Sequence, residues 1–139
     1  MTTIQRNEAT ELPLALWNHF NNREWDLAGA LLSEKFEAVW PQSREKIVGP
    51  KNFIEVNRTY PGTHKIEILD SHQRYDNWEH VHHVTTEVYI ESKMPGGKEM
   101  KLFAISFFEV SGDKIISVKE YWADTYATPE WRAHLVERY

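Results

Sequence analysis

The sequence contains no cysteine, which excludes disulfide bonds, thiolate nucleophiles and cysteine-ligated metal sites. It also lacks a basic excess, since 16 Lys and Arg stand against 21 Asp and Glu, for a net charge of −5. A nucleic-acid partner is therefore not expected, because that role needs a basic face. No apolar run approaches the roughly 20 residues that cross a bilayer, and the start MTTIQRNEATE carries no signal peptide. We expect a cytoplasmic protein with no membrane partner.

The chain has 139 residues, of which 41% are hydrophobic and 13% aromatic, enough for one sizeable core. No linker or repeat divides it, so residues 1–139 are expected to form a single domain. Helical periodicity runs over residues 7–32, with a break at Asn21 and Asn22. Pro13 predicts that the first helix begins near it. Pro50 is typical of the first turn of a third helix, which ends before Pro61.

Strand patterns fill most of the remaining chain. They predict a strand at 35–40, a very short one at 47–49, and four long strands from Ile66 to Trp122. The pair Asp76-Asn77 predicts a tight hairpin turn, and a bulge near Leu69 would reconcile two parities of the strand before it. Helices followed by an antiparallel meander indicate an α+β fold, in which a strongly curved sheet closed by the helices makes a cone with an apolar pocket.

Three strings of the chain resemble the nuclear transport factor 2-like superfamily, which includes ketosteroid isomerases and SnoaL-like polyketide cyclases. They are NNREWDLAGALLSEKFEAVWP, KIVGPKNFIEVNRTYP, and KIISVKEYWAD followed by PEWR. The resemblance spans nearly the whole chain and implies a SnoaL-like domain, a cystatin-like α+β roll whose cone-shaped, mixed but mainly antiparallel sheet packs against three helices. Its motifs are specific for the fold and weak for any one reaction.

The resemblance also implies where a ketosteroid isomerase would keep its functional groups. The general base would fall at Trp40, one oxyanion donor at Leu16 and the protonated acid near Ser106. None of these residues can perform the required proton transfer, because that chemistry needs a base and an acidic donor. Steroid isomerisation by that mechanism is therefore not expected.

Polar residues on the inward faces of the strands are the candidates for chemistry, because burying them is costly unless they are paired. Alternation places His80, His82 and Thr86 inside on one strand, Ser106 on the next and Glu120 on the last, which ends at Asp124. We identify His82 and Glu120 as a candidate acid–base pair. The alternatives are a satisfied hydrogen bond in the core, or a Glu120 that lies at a dimer face.

Four of the six tryptophans fall on predicted inward faces: Trp17, Trp40, Trp78 and Trp122. They could form an aromatic pocket for a flat hydrophobic molecule, with His80, Ser106 and Asp124 as polar contacts, or they could fill the cone and leave no cavity. The other two, Trp25 and Trp131, are expected to pack in the core.

The spacing His80-x-His82 suggests a metal site, because the two side chains would project to one side of a strand, with Glu120 as a third ligand. Because no second motif accompanies this pair, we expect neither a metal nor another cofactor. Phe103, Ile105 and Phe107 give the penultimate strand an apolar outer face, which predicts a homodimer through the sheet.

Two classes of function remain open from the sequence. One is an isomerase, cyclase, dehydratase or hydrolase that acts on a hydrophobic cyclic molecule by acid–base chemistry. The other is a module of the same fold that binds a small ligand, or forms a dimer, without catalysis. The two differ in whether the inward polar residues converge on an open cavity.

Overall fold

A computed structural model describes residues 6–139, with only the backbone described at residues 6 and 7. Residues 1–5, part of the segment that lacks a signal-peptide pattern, lie outside it. The helices are α1 (Arg6–Asn21), α2 (Trp25–Ala30) and α3 (Pro50–Thr59). Helix α3 begins where the sequence predicts, because Pro50 occupies the first helical position after Gly49, whose φ of 88° is accessible to glycine. No helix of the described residues is long and apolar enough to cross a membrane.

The first helix differs from the prediction at Pro13. Helix α1 begins at Arg6 and continues through Pro13, which is fully buried, rather than starting beside it. Leu16, Trp17 and Phe20 follow on the buried face of the helix, so the packing of this face outweighs the backbone hydrogen bond that proline cannot donate.

Six strands form one mixed sheet in the order β2-β1-β6-β5-β4-β3. Only the pair formed by the first and last strands is parallel, and the last four strands form the predicted antiparallel meander. A short 3₁₀ helix, Glu130–Leu135, follows the sheet. The strands are β1 (Leu32–Trp40), β2 (Glu45–Val48), β3 (Thr63–Asp76), β4 (Val81–Lys93), β5 (Glu99–Ser111) and β6 (Lys114–Asp124).

Strand β1 starts earlier than predicted. Leu32, expected to end a helix, is buried and pairs with Ile115 of β6, and the register then shifts before Glu37 pairs with Ser117. The long strands place Phe36, Phe108 and Val118 in a core that α1 and α3 cover from one side. The fold is thus α+β, a curved six-stranded sheet packed against N-terminal helices.

The hairpin between β3 and β4 corrects the prediction of a two-residue turn at Asp76-Asn77. The turn spans residues 77–80, because the Asp76 carboxylate accepts hydrogen bonds from the backbone N–H groups of Trp78 (2.9 Å) and Glu79 (3.1 Å). His80 closes the turn with a φ of 55°. Trp78 is therefore 90% exposed, and His80 is exposed as well, so the prediction that these two side chains face inward is wrong.

The predicted bulge in β3 is present. Ile68 pairs with Val88 and Asp70 with Glu87, so that Leu69 is left without a partner in β4. Before the bulge the even-numbered residues are the less exposed ones, and after it the odd-numbered residues are. The extra residue therefore lets both halves of β3 turn their less polar side toward the helices.

Candidate functional site

A row of polar side chains crosses the buried face of the sheet at one level. Thr86 of β4 pairs with Ser106 of β5, which pairs with Glu120 of β6, and all three are buried. An indole closes the row at each end. Trp17 donates from Nε1 to the Thr86 hydroxyl oxygen at 2.9 Å, and Trp40 donates from Nε1 to Glu120 Oε1 at 3.0 Å.

Glu120 is the one acidic side chain of this row, and it is only 2% exposed. Burial raises the pKa of its carboxyl group, because the charged form loses its hydration. Hydrogen bonds from the Ser106 hydroxyl (2.6 Å) and the Trp40 indole stabilise the charged form and act against that rise. Desolvation is the larger effect, so the group holds its proton to a higher pH than an exposed glutamate does.

The curved sheet and the helices enclose a cone, and a small cavity lies between the sheet and the C-terminal ends of α1 and α3. We call this end of the cone its mouth. The volume of the cavity is about 70 Å³. The level of Ile90 and Leu102 forms its sheet wall, two levels away from the row that contains Glu120. Most of its lining is apolar: Trp17, Phe20, Trp25, Ile66, Ile90, Leu102 and Trp122. The remainder is Arg23, Asn57, Tyr60, His64 and Ser92.

Two of these polar residues form a pair in the cavity wall. His64 of β3 lies directly opposite Ser92 of β4, and its Nδ1 is 2.6 Å from the Ser92 hydroxyl oxygen. The other ring nitrogen, Nε2, is 3.5 Å from the carbonyl oxygen of Tyr60, whose ring packs against the imidazole with centroids 4.5 Å apart. Ser92 is buried and His64 half-buried, so the open part of the cone contains one hydroxyl–imidazole pair.

Comparison with solved structures identifies the architecture. A candidate ketosteroid isomerase from Kribbella flavida DSM 17836 superposes with a TM-score of 0.75 at 25% identity, covering 96% of this chain and 90% of that one. A nuclear transport factor 2-like protein of unknown function from Burkholderia xenovorans LB400 gives 0.71 at 19% identity, with 96% of both chains covered. The chain has the nuclear transport factor 2-like fold.

An epoxide hydrolase of the LEH-like type from M. tuberculosis has the same nuclear transport factor 2-like fold, with a TM-score of 0.67 at 19% identity over 84% of this chain and 83% of that one. The sequence itself matches no protein-family model and no curated protein. The likeness therefore establishes the fold, and any activity has to be argued from the residues of this chain.

Within the nuclear transport factor 2-like fold, two of the three positions implied for a ketosteroid isomerase contact Glu120. Trp40 and Ser106, at the implied positions of base and acid, each contact one of its carboxyl oxygens. Leu16 is 1% exposed in the core. The resemblance would place carboxyl groups at the positions of Trp40 and Ser106. This chain instead has the carboxyl group of Glu120, on β6, between those two positions.

The structure separates the predicted pair His82 and Glu120. His82 is buried, as predicted, but it pairs with Val110, whereas Glu120 lies in the row of Thr86. Four residues of β4 separate these levels, which corresponds to about 13 Å. The two groups therefore cannot exchange a proton directly in this conformation, and His82 instead packs against Tyr75 with ring centroids 4.6 Å apart.

The predicted aromatic contacts are divided among three places. Trp17 and Trp122 line the cavity, and Trp40 packs edge-on against Trp122 with centroids 6.2 Å apart. Trp78 lies outside the cone on the β3–β4 turn, and Asp124 is exposed at the end of β6. Trp25 packs against the core as expected and also lines the cavity, whereas the expectation for Trp131 is wrong, because it lies on the 3₁₀ helix and is 71% exposed.

The suggested metal pair His80-x-His82 does not project to one side of a strand, because His80 belongs to the turn. Among residues 6–139, Asp76, Glu79 and His83 bring three potential ligand atoms within 4.8 Å of one another. Asp76 Oδ1 caps the turn, and Asp76 Oδ2 lies 4.0 Å from the Arg74 guanidinium and 3.9 Å from His83 Nε2. These contacts assign Asp76 a structural role in the hairpin.

The pairing of His64 with Ser92 was not predicted from the sequence, because it depends on the register of the β3–β4 hairpin. A two-residue turn at Asp76-Asn77 would have paired Tyr75 with Trp78 and, beyond the bulge, His64 with Val88. The observed four-residue turn moves His64 opposite Ser92. The sequence did indicate that His64 faces inward, because it lies two residues before Ile66 on the same side of the strand. This alternation does not determine which residue of β4 lies opposite His64.

Proposed function

We propose that this protein binds a small apolar cyclic molecule in the cavity at the mouth of the cone and acts on it by acid–base chemistry. The observation that carries the proposal is the composition of the cavity wall, in which aromatic and aliphatic side chains surround a few polar groups, as is typical of small-molecule sites. The volume of about 70 Å³ is roughly half of the ~150 Å³ of an engineered cavity that binds benzene. Because the cavity is open at the mouth, a small ring would enter it in part and extend through the mouth, as would the apolar end of a larger molecule.

Acid–base chemistry is favoured because proton-exchanging groups lie within and just beyond this cavity. His64 and Ser92 belong to its wall, and Glu120, whose pKa burial raises, lies deeper on the same face of the sheet. The solved structures that share the fold include a candidate ketosteroid isomerase and an LEH-like epoxide hydrolase. An isomerase, cyclase, dehydratase or hydrolase of a hydrophobic substrate is consistent with these groups.

Non-catalytic binding of the same class of ligand is the second candidate. It is favoured by the sealed position of Glu120, whose carboxyl oxygens are taken up by Ser106 and Trp40. A ligand in the mouth would reach this carboxyl group only if an indole moved. In this case the polar row would be a hydrogen-bonded part of the core.

Filling the cavity tests the binding proposal. Leu102→Phe adds volume to the cavity wall, whereas Leu69→Phe adds the same group at the exposed bulge of β3. Titration with toluene and phenol, followed by the fluorescence of the tryptophans in the wall, should give saturable binding to the wild type and to Leu69→Phe. Leu102→Phe should bind about tenfold more weakly or not at all. Equal binding by both variants, or no saturable binding by the wild type, would refute the proposal.

A further inference from the structure

The neighbours of His64 and Ser92 assign a direction to the hydrogen bond between the two side chains. The Tyr60 carbonyl oxygen, 3.5 Å from His64 Nε2, can only accept a hydrogen bond, so we assign the hydrogen of the neutral ring to Nε2. The lone pair of the neutral imidazole is then on Nδ1, and the Ser92 hydroxyl donates to it over 2.6 Å. A backbone carbonyl thus orients the imidazole toward the hydroxyl, a role that a carboxylate plays in serine hydrolase triads.

Ser92 follows Val88 and Ile90 along the buried face of β4, where an aliphatic residue would continue the pattern. Its hydroxyl contacts His64 and belongs to the wall of the mouth cavity. An imidazole that takes the proton of a hydroxyl group turns it into a nucleophile, and both groups here lie within hydrogen-bond reach. Further N–H donors line the same cavity, on Asn57 and Arg23.

We propose that Ser92 is a nucleophile and His64 its general base in a site that hydrolyses carboxylic esters whose acyl group is small and apolar. The inference rests on the proposed function, because the apolar part of the ester would occupy the mouth cavity. It goes further by naming the substrate class and the reacting atoms, and it transfers the acid–base role from His82 and Glu120 to His64 and Ser92.

The reaction needs only the ester and water. Ser92 Oγ attacks the carbonyl carbon while its proton passes to His64 Nδ1, and the bond from that carbon to the alcohol oxygen breaks as His64 returns the proton to the leaving alcohol. Water then attacks the acyl-serine, again through His64, and releases the acid and the free hydroxyl. The negative oxygen of each tetrahedral intermediate requires N–H donors. The Asn57 amide has one N–H beyond the one it donates to the Phe53 carbonyl (2.8 Å), and the Arg23 guanidinium lies over the Trp25 ring.

Covalent labelling of the full-length chain tests the nucleophile. Diisopropyl fluorophosphate forms a stable bond to an activated serine with loss of fluoride, and intact-mass spectrometry counts the groups attached. The wild type should take up one group. Ser92→Ala should take up none, while Ser71→Ala, which removes a half-buried hydroxyl elsewhere in β3, should be labelled like the wild type. His64→Gln should be labelled at least tenfold more slowly and should hydrolyse p-nitrophenyl acetate correspondingly more slowly.

Two results would overturn the inference: no group attached to the folded wild type, or a group that remains in Ser92→Ala. Toluene titration of Ser92→Ala separates this failure from that of the proposed function, because the variant keeps the apolar wall. If toluene binds but Ser92 is not labelled, the cavity binds ligands without this nucleophile. If Ser92 is labelled but toluene does not bind, the nucleophile stands and the apolar-ligand proposal fails.

Discussion

At the scale of single residues, Glu120 has the most unusual environment in the described core. Alternation with Val118 predicts its burial, and the structure confirms it. Its partners could not be predicted, because Trp40 and Ser106 come from two other strands and their contacts depend on strand pairings distant in sequence. Burial raises its pKa, because the charged carboxylate loses its hydration.

A raised pKa makes stability depend on pH in a predictable direction. Between the ordinary glutamate pKa of 4.5 and the raised pKa of Glu120, the folded protein holds a proton that the unfolded chain releases. The free energy of unfolding contributed by this group therefore falls as pH rises through that window. Glu120→Gln cannot titrate, so its stability relative to the wild type should increase with pH above 4.5.

Urea unfolding of both proteins between about pH 5 and 8 measures this difference. Glu99→Gln, at the exposed start of β5, serves as the matched control and should keep the wild-type pH dependence. If the free energy of unfolding changed with pH equally in Glu120→Gln and in the wild type, Glu120 would not retain its proton on folding.

At the scale of secondary structure elements, periodicity predicts the strands well and their turns less well. The bulge at Leu69 was predictable because the apolar residues of β3 change parity there, and a two-residue period makes such a change visible. The β3–β4 turn was not, because Asp76 caps a four-residue turn with its side chain. That one difference exposes Trp78 and shifts the register of the whole hairpin.

Single-residue deletions in β3 should distinguish the bulge from regular strand. Deleting Leu69 removes the unpaired residue and leaves Ile68 and Ser71 on the same inward side, so the variant should fold with a modest loss of stability. Deleting His72 turns the segment from Gln73 to Asp76 over, which exposes its inward residues and buries Arg74. Thermal unfolding should therefore give a clearly lower midpoint for the His72 deletion. If the Leu69 deletion unfolded at a lower temperature than the His72 deletion, this account of the bulge would be contradicted.

At the scale of the whole molecule, the sheet has an outer face, opposite the helices, that exposes large aromatic side chains. Phe103 and Phe107 are 38% and 42% exposed, and they pack against Tyr89 and Tyr121 respectively. The same face carries both signs of charge, on Glu87 and Lys119, so two copies related by a two-fold axis could pair them. We therefore propose a second copy of this chain as the partner of this face.

Light scattering at micromolar concentration should report about twice the chain mass of 16.4 kDa. Phe107→Glu places a charge in the centre of the face and should yield the monomer. Val56→Glu, at an exposed position of α3, should leave the dimer intact. A wild-type monomer at these concentrations would contradict the dimer proposal.

The order of elements was predictable because hydrophobic periodicity and proline positions specify it locally, and the resemblance placed them in one known architecture. The site was only partly predictable, since its polar pairs depend on register across several strands. The structure places His82 and Glu120 at different levels of the sheet, and the lining of the mouth cavity includes the pair His64 and Ser92, on which our proposals rest.

The central claim, that the mouth cavity binds a small apolar ring, is tested most directly by the NMR signals of the six indole N–H groups. Trp17, Trp25 and Trp122 line the cavity, whereas Trp78 and Trp131 are exposed elsewhere and serve as internal controls. Added toluene should shift the three cavity signals along a saturating curve and leave the two control signals in place. Shifts confined to Trp78 and Trp131, or shifts of all six that grow without saturation, would contradict the claim.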